Sequence, residues 1–273
     1  MKSLQFVLAF LLLLSLPACS QLPAMYYTNQ GDAALVKGDC DKAIQAYNQA
    51  IAADPKSGRA LAGRGSAYLD QGDYDRAISD FNEALRLDPK AARVFNARGA
   101  AYFAKGDYGK AIQDYDEAIR LDPKTGRAFM NRGMANLYAG HFPEAQQDLS
   151  QNLQQDPKDP YRAMWLYLAQ AKGRTDGEAE LKANTAALNL SKWPGSVVQL
   201  YLGQSTPDDV LRAAGSDGEQ KCEYSFYVGE YRALRGERPE ALALFSSASS
   251  GCPKDFIEYA PAVIEVNNLE KQK

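Results

Sequence analysis

The side chains able to do covalent or acid–base chemistry are few: one histidine, His141, and four cysteines at positions 19, 40, 222 and 252. A nucleophile needs a base beside it, and a zinc site needs three or four nitrogen, sulfur or carboxylate donors close together. The chain has no G-x-S-x-G elbow, no phosphate-binding loop and no H-E-x-x-H run. The sequence therefore assigns no catalytic residue, no metal ligand and no cofactor. Two kinds of chemistry remain, thiol modification and recognition by arginine. Lys+Arg is 31 against Asp+Glu 34, a net charge of −3, and no block of one sign is long enough to neutralise a row of phosphates. Nucleic acid is thereby disfavoured as a partner.

Cys19 follows a leader. Met1-Lys2 gives a positive start and Phe6 to Leu14 reads FVLAFLLLL. Such a run is too short for a spanning helix of about 20 residues and reads as the apolar core of a signal peptide, residues 1–18. Leu16-Pro17-Ala18-Cys19 resembles the bacterial lipobox, whose cysteine is acylated and becomes the new N-terminus. On this reading Cys19 carries the lipid anchor and 19–23 is a short linker. The alternative is ordinary cleavage after Ser20, releasing a soluble periplasmic protein. Ser20, rather than Asp, after the cysteine implies the outer membrane by resemblance to bacterial lipoproteins.

The elements that must carry the arginines come from an internal repeat. Asp-Pro-Lys recurs at 54–56, 88–90, 122–124 and 156–158, with prolines 34 residues apart. Four units follow: 24–57, 58–91, 92–125 and 126–159. Position 8 is always glycine (31, 65, 99, 133), as is position 15 (38, 72, 106, 140), and position 20 is always alanine (43, 77, 111, 145). Position 24 holds Tyr47, Phe81, Tyr115 and Leu149. Small residues let two antiparallel helices approach, the large residue fills the gap, glycine at 15 ends helix A and proline at 32 ends helix B. The pattern resembles the tetratricopeptide repeat and predicts an all-α solenoid of helical hairpins with a concave face. Residues 222–255 return to the register. The irregular segment 160–221 predicts helices near 160–172, 176–190 and 194–202 and a short one after Thr206, and 256–273 predicts a closing helix.

Positions 7 and 23 covary along the chain. They are Arg64 and Asp80, Arg98 and Asp114, then Arg132 and Asp148, whereas the first unit has Gln30 and Ala46 and the last has Val228 and Leu244. Pairing within each unit leaves no orphan charge, so three structural ion pairs between helix A and helix B are expected. Cys222 and Cys252 occupy positions 1 and 31 of the last unit, at one end of an antiparallel hairpin. A disulfide is feasible there, two free thiols being the alternative. Cys40 stands where other units have an aromatic residue and reads as a small buried hydrophobe. His141 reads as a solvated turn residue.

The concave positions of helix A supply the expected partner groove: Arg59, Arg93, Asn96, Arg127, Met130, Met134 and Tyr138. This is an apolar, methionine-bearing floor beside a basic row, suited to an extended or helical segment with an acidic end. The plainer alternative is that the arginines pair with neighbouring surface carboxylates.

A finer resemblance lies in Asp156-Pro157-Lys158-Asp159-Pro160-Tyr161-Arg162 followed by Trp165-Leu166-Tyr167-Leu168-Ala169, then Leu200-Tyr201-Leu202-Gly203, Phe226-Tyr227-Val228-Gly229 and Phe256-Ile257-Glu258-Tyr259. These blocks resemble the NlpI family of tetratricopeptide lipoproteins. The resemblance implies a dimeric, periplasm-facing outer-membrane lipoprotein. As an adaptor it would scaffold peptidoglycan hydrolases or deliver them to a tail-specific protease. The family's longer helical lead-in, part of its dimer contact, has no counterpart before the first repeat here. A structural subunit of an outer-membrane assembly or secretion machine is the alternative.

Overall fold

A computed structural model describes residues 17–124, 126–254 and 256–271. Residues 1–16 of the expected signal peptide, 1–18, lie outside the described residues, and so does the side chain of Cys19 with its expected acylation. Among the described residues there are fifteen helices and no strand. The chain divides into two compact units, one up to Ala101 and one from Tyr102.

In the first unit α1 (Pro17–Val36), α2 (Cys40–Ala53), α3 (Gly58–Gln71) and α4 (Tyr74–Leu87) form two hairpins, and α5 (Ala92–Ala104) runs from its end into the second unit. Residues 19–23, read from the sequence as a linker, continue α1, with Pro23 inside the helix. In α2 the buried residues are Ala43, Ala46, Tyr47 and Ala50, a three-and-four spacing that puts them on one stripe. Asp39 starts this helix by accepting the backbone N–H of Lys42, and Asp73 does the same for α4 through Arg76. Between the hairpin arms Gly72 takes a left-handed φ of 81°, a conformation glycine adopts without strain. The closest approach is at position 8. A methyl group on Gly65 would sit 2.8 Å from the Phe81 ring, so the aromatic residue occupies the space that glycine leaves.

The second unit continues with α6 (Tyr108–Leu121), α7 (Gly126–Ala139) and α8 (Phe142–Gln155). Beyond the regular repeats come α9 (Pro160–Lys172), α10 (Glu178–Thr185), α11 (Gly195–Tyr201) and α12 (Pro207–Ala214). A fifth hairpin, α13 (Gly218–Leu234) with α14 (Arg238–Gly251), and the closing α15 (Tyr259–Lys271) complete the unit. In that hairpin Gly229 faces Phe245 as Gly65 faces Phe81, again 2.8 Å from a would-be Cβ. Helix α10 stops short of the expected 176–190. Asn189 Oδ1 accepts the N–H and hydroxyl of Ser191, a local turn that competes with helix continuation. The core joins Trp165, Phe226, Tyr227 and Phe245, all fully buried, to Leu149 of the fourth repeat. No described helix is long and apolar enough to cross a membrane.

Candidate functional site

The position-7 arginines are clamped. Arg64 donates through Nε and Nη2 to the two oxygens of Asp80, 2.7 Å each, and through Nη1 to Asn48 Oδ1 at 2.7 Å. Arg132 repeats this with Asp148 at 2.8 and 2.6 Å and with Asp116 at 2.5 Å. Arg98 donates to Asn82 at 2.7 Å, and Asp114 is buried on α6. Each guanidinium of Arg64 and Arg132 thus ties helix B of its own repeat to helix B of the preceding one. The hydrogen bonds they donate to Asp80 and Asp148 hold both guanidinium groups above their ordinary pKa. These arginines are occupied by the fold. The pairing expected from the sequence named an aspartate for each arginine and no second acceptor, although Asn48, Asn82 and Asp116 also recur at 34-residue spacing.

In the first unit a cleft of about 500 Å³ opens along the helix-A residues. Arg59 and Arg93 stand on it, above a floor that includes Leu35, Ala62, Val94 and Ala97. Arg59 is paired with Asp32 across the cleft, and Asp32 also accepts the Tyr47 hydroxyl at 2.7 Å. Burial and that hydrogen bond push the Tyr47 phenol well above its ordinary range. Arg93 is exposed, with no carboxylate partner among the described residues. Asn96 is half-buried on α5 and does not line this cleft.

The expected groove does not extend over Met134 and Tyr138. Met134 is 4% exposed inside the second unit's core. The Tyr138 ring packs 5.8 Å from that of Phe103, and its hydroxyl donates to Glu230 Oε1 of α13 at 3.3 Å. The chain's own later helices occupy this face of α7, which a reading confined to the repeats could not show. Lys172 of α9 lies between Glu230, at 2.9 Å, and Glu265 of α15. Burial pushes the Glu230 carboxyl up to about 7 against the pull of Lys172. Burial also lowers the Lys172 ammonium, and the two carboxylates more than reverse that. No periodic signal marks these three residues, because they lie outside the four regular repeats.

Arg127 and Met130 instead line a second cleft, of about 670 Å³, with Arg162, Trp165, Ile257 and Glu258. Glu258 is 6% exposed and accepts the Tyr227 hydroxyl at 2.9 Å. Burial pushes its carboxyl up to about 7. Glu223, on the same cleft, accepts the Tyr161 hydroxyl at 2.6 Å and the Trp193 indole N–H at 2.7 Å. The Trp165 indole nitrogen is buried without an acceptor among the described residues, which costs about 1–3 kcal/mol for such a donor.

Cys222 and Cys252 form a disulfide with Cα atoms 5.6 Å apart, closing the base of the fifth hairpin. Cys40 is a half-buried free thiol, its pKa raised by burial. His141 is exposed at the start of α8 and makes no capping hydrogen bond.

A tetratricopeptide repeat family model matches residues 28–92 and again 63–126. Residues 28–126 thus match the tetratricopeptide repeat. The crystal structure of MamA protein is 25% identical, covers 60% of this chain and 94% of that chain, and superposes with a TM-score of 0.53. A second MamA structure is 26% identical over 57% of this chain and 92% of that chain, with a TM-score of 0.52. A tetratricopeptide repeat protein from Parabacteroides merdae covers 90% of this chain and 84% of its own at 17% identity, TM-score 0.58, a likeness of fold. The hairpins α3–α4, α7–α8 and α13–α14 therefore share one architecture, although the family match ends at 126.

Proposed function

We propose that this protein is a non-catalytic adaptor that binds protein partners through its tetratricopeptide repeats. The observation that carries the reading is the first unit's cleft, where small helix-A residues leave an apolar floor and Arg93 stands exposed at its edge. An extended or helical segment with an acidic end fits that chemistry. Arg59, already paired with Asp32, contributes position more than charge.

We further propose a periplasm-facing outer-membrane lipoprotein, acylated at Cys19, that scaffolds peptidoglycan hydrolases or passes them to a tail-specific protease. Its support is the leader with Leu16-Pro17-Ala18-Cys19 and the NlpI-like blocks from Asp156 to Ala169 and onward. The disulfide suits an oxidising compartment. Affinity purification from detergent-solubilised membranes, followed by mass spectrometry, tests this reading. A protease and hydrolases should co-purify with the wild type and be depleted at least tenfold with Arg93→Glu. Stoichiometric recovery of a barrel or secretin would favour the structural-subunit alternative. Cleavage of peptidoglycan by the purified protein alone would contradict the adaptor role.

A further inference from the structure

Helix α1 is apolar on both of its sides. Its inner side is buried through Ala24, Thr28 and Gly31, the glycine closing on the Tyr47 ring of α2. The Thr28 hydroxyl donates to the Ala24 carbonyl at 2.7 Å, so the one hydroxyl on that side is satisfied. The outer side carries Leu22, Met25 and Tyr26, 56–64% exposed, then Ala33 and Val36, the last 89% exposed. At 3.6 residues per turn these positions and the exposed Asn29 fall within one stripe about 100° wide. No charged residue occurs between Cys19 and Asp32, and Lys37 follows at the end of the stripe. A helix apolar all round is ordinarily covered on every side, yet this stripe is open among the described residues.

We propose that this stripe rests on the lipid surface, so that the protein touches the bilayer along α1 as well as through its acyl chains. The contact presupposes the reading of Cys19 as the lipid anchor. Cys19 lies in the same helix, and positions 19, 22, 26, 29, 33 and 36 are separated by alternating steps of three and four residues. That spacing puts the anchored position in line with the stripe. A tether at one end holds the stripe beside the bilayer at high effective concentration, so modest apolar burial suffices to keep it there. Leu22, Met25 and Val36 enter the boundary between headgroups and acyl chains, about 5–10 Å deep, with Tyr26 at headgroup level. Lys37, exposed beyond Val36, reaches the lipid phosphates. A second copy of the chain fits less well. A stable interface buries about 800 Å² on each partner, and four large side chains on a single helix offer less.

Full-length protein is purified in its processed form from membranes, its N-terminal mass is measured, and it is reconstituted into vesicles of phosphatidylethanolamine and phosphatidylglycerol. Cys222 and Cys252 are bonded, so Cys40→Ser leaves an introduced cysteine as the one free thiol to carry a fluorescent label. Labels go to Met25→Cys, to Val36→Cys and to Gln45→Cys, an exposed position of α2 on the side opposite its buried stripe. Position 36 lies about 16 Å along the helix from position 25, so it separates a helix lying on the surface from one held only at its acylated end. A nitroxide on the upper acyl chain should quench labels 25 and 36 at least threefold more than label 45, and iodide in the water should show the reverse order. Leu22→Gln with Tyr26→Gln, both exposed substitutions, should cut lipid quenching at 36 at least twofold and leave the circular dichroism melt unchanged. Equal quenching at all three positions, quenching at 25 alone, or undiminished quenching in the double variant would each overturn the proposal. So would labels 25 and 36 shielded from both quenchers, the sign of a protein cover. An N-terminal mass without acyl chains would instead remove the anchor reading, and this contact with it.

Discussion

Arg64 and Asp80 show how a charged pair can serve the fold. Arg64 is clamped in a bidentate pair at a site where Asp80 is 7% exposed, and its third contact reaches the preceding repeat. Removing Asp80 leaves the half-buried Arg64 charge with Asn48 as its remaining partner, so Asp80→Leu should cost up to about 3–5 kcal/mol. The fifth hairpin fills the equivalent positions with Val228 and Leu244. The double variant Arg64→Val with Asp80→Leu should therefore recover most of that loss, as measured by urea midpoints. A double variant no more stable than Asp80→Leu alone would contradict this account. The 34-residue period draws attention to positions 7 and 23. The acceptors at Asn48, Asn82 and Asp116 were equally periodic, but asparagine and aspartate on an exposed helix face give no reason to expect a partner.

Glu258 gives a pH dependence whose sign follows from burial. Its carboxyl, ordinarily near 4.5, is held at about 7, so the folded protein binds that proton more tightly than the unfolded chain. The stability associated with this group is present at acid pH and is lost as pH rises from about 4.5 to about 7. Glu258→Gln keeps an acceptor for Tyr227 and cannot ionise. It should match the wild type near pH 4.5 and exceed it by up to about 3 kcal/mol above pH 7.5 in denaturation curves. A variant that gains nothing at alkaline pH would show that the carboxyl is not buried as described.

At the scale of elements, hairpins were readable wherever glycine, aromatic residue and proline fall at fixed offsets, including α13–α14 after the irregular stretch. Helix α9 begins at Pro160, where Asp159 caps it, and ends before Gly173, after which Arg174 takes a left-handed φ of 60°. The end of α10 was less legible, since the side-chain turn at Asn189 competes locally with a sequence of good helix formers. The fifth hairpin also carries a covalent tie, 30 residues apart in sequence. Replacing both Cys222 and Cys252 with serine should destabilise it by about 3–4 kcal/mol, the loop-closure value for that separation. Hydrogen exchange should show the loss concentrated in α13 and α14. An unchanged exchange pattern would mean that packing of Phe245 against Gly229 suffices on its own.

For the molecule as a whole, the repeats supply surfaces and the later helices decide which of them remain open. The first unit keeps its helix-A face as a cleft. In the second, Met134 and Tyr138 are taken into a core with α9 and α13, and the remaining opening is walled partly by segments outside the regular repeats. Sequence periodicity describes a repeat in isolation, so it reads Tyr138 as surface. The partner that buries it, Glu230, lies 92 residues away in sequence. We propose that partners dock in the first unit's cleft. It is tested most directly by a photo-crosslinking amino acid placed at Ser66, which lines that cleft, and at Glu83, half-buried on helix B and outside it. Crosslinking in intact cells should give discrete protein adducts from position 66 and none from 83. Equal adducts from both positions, or none from 66, would contradict the claim.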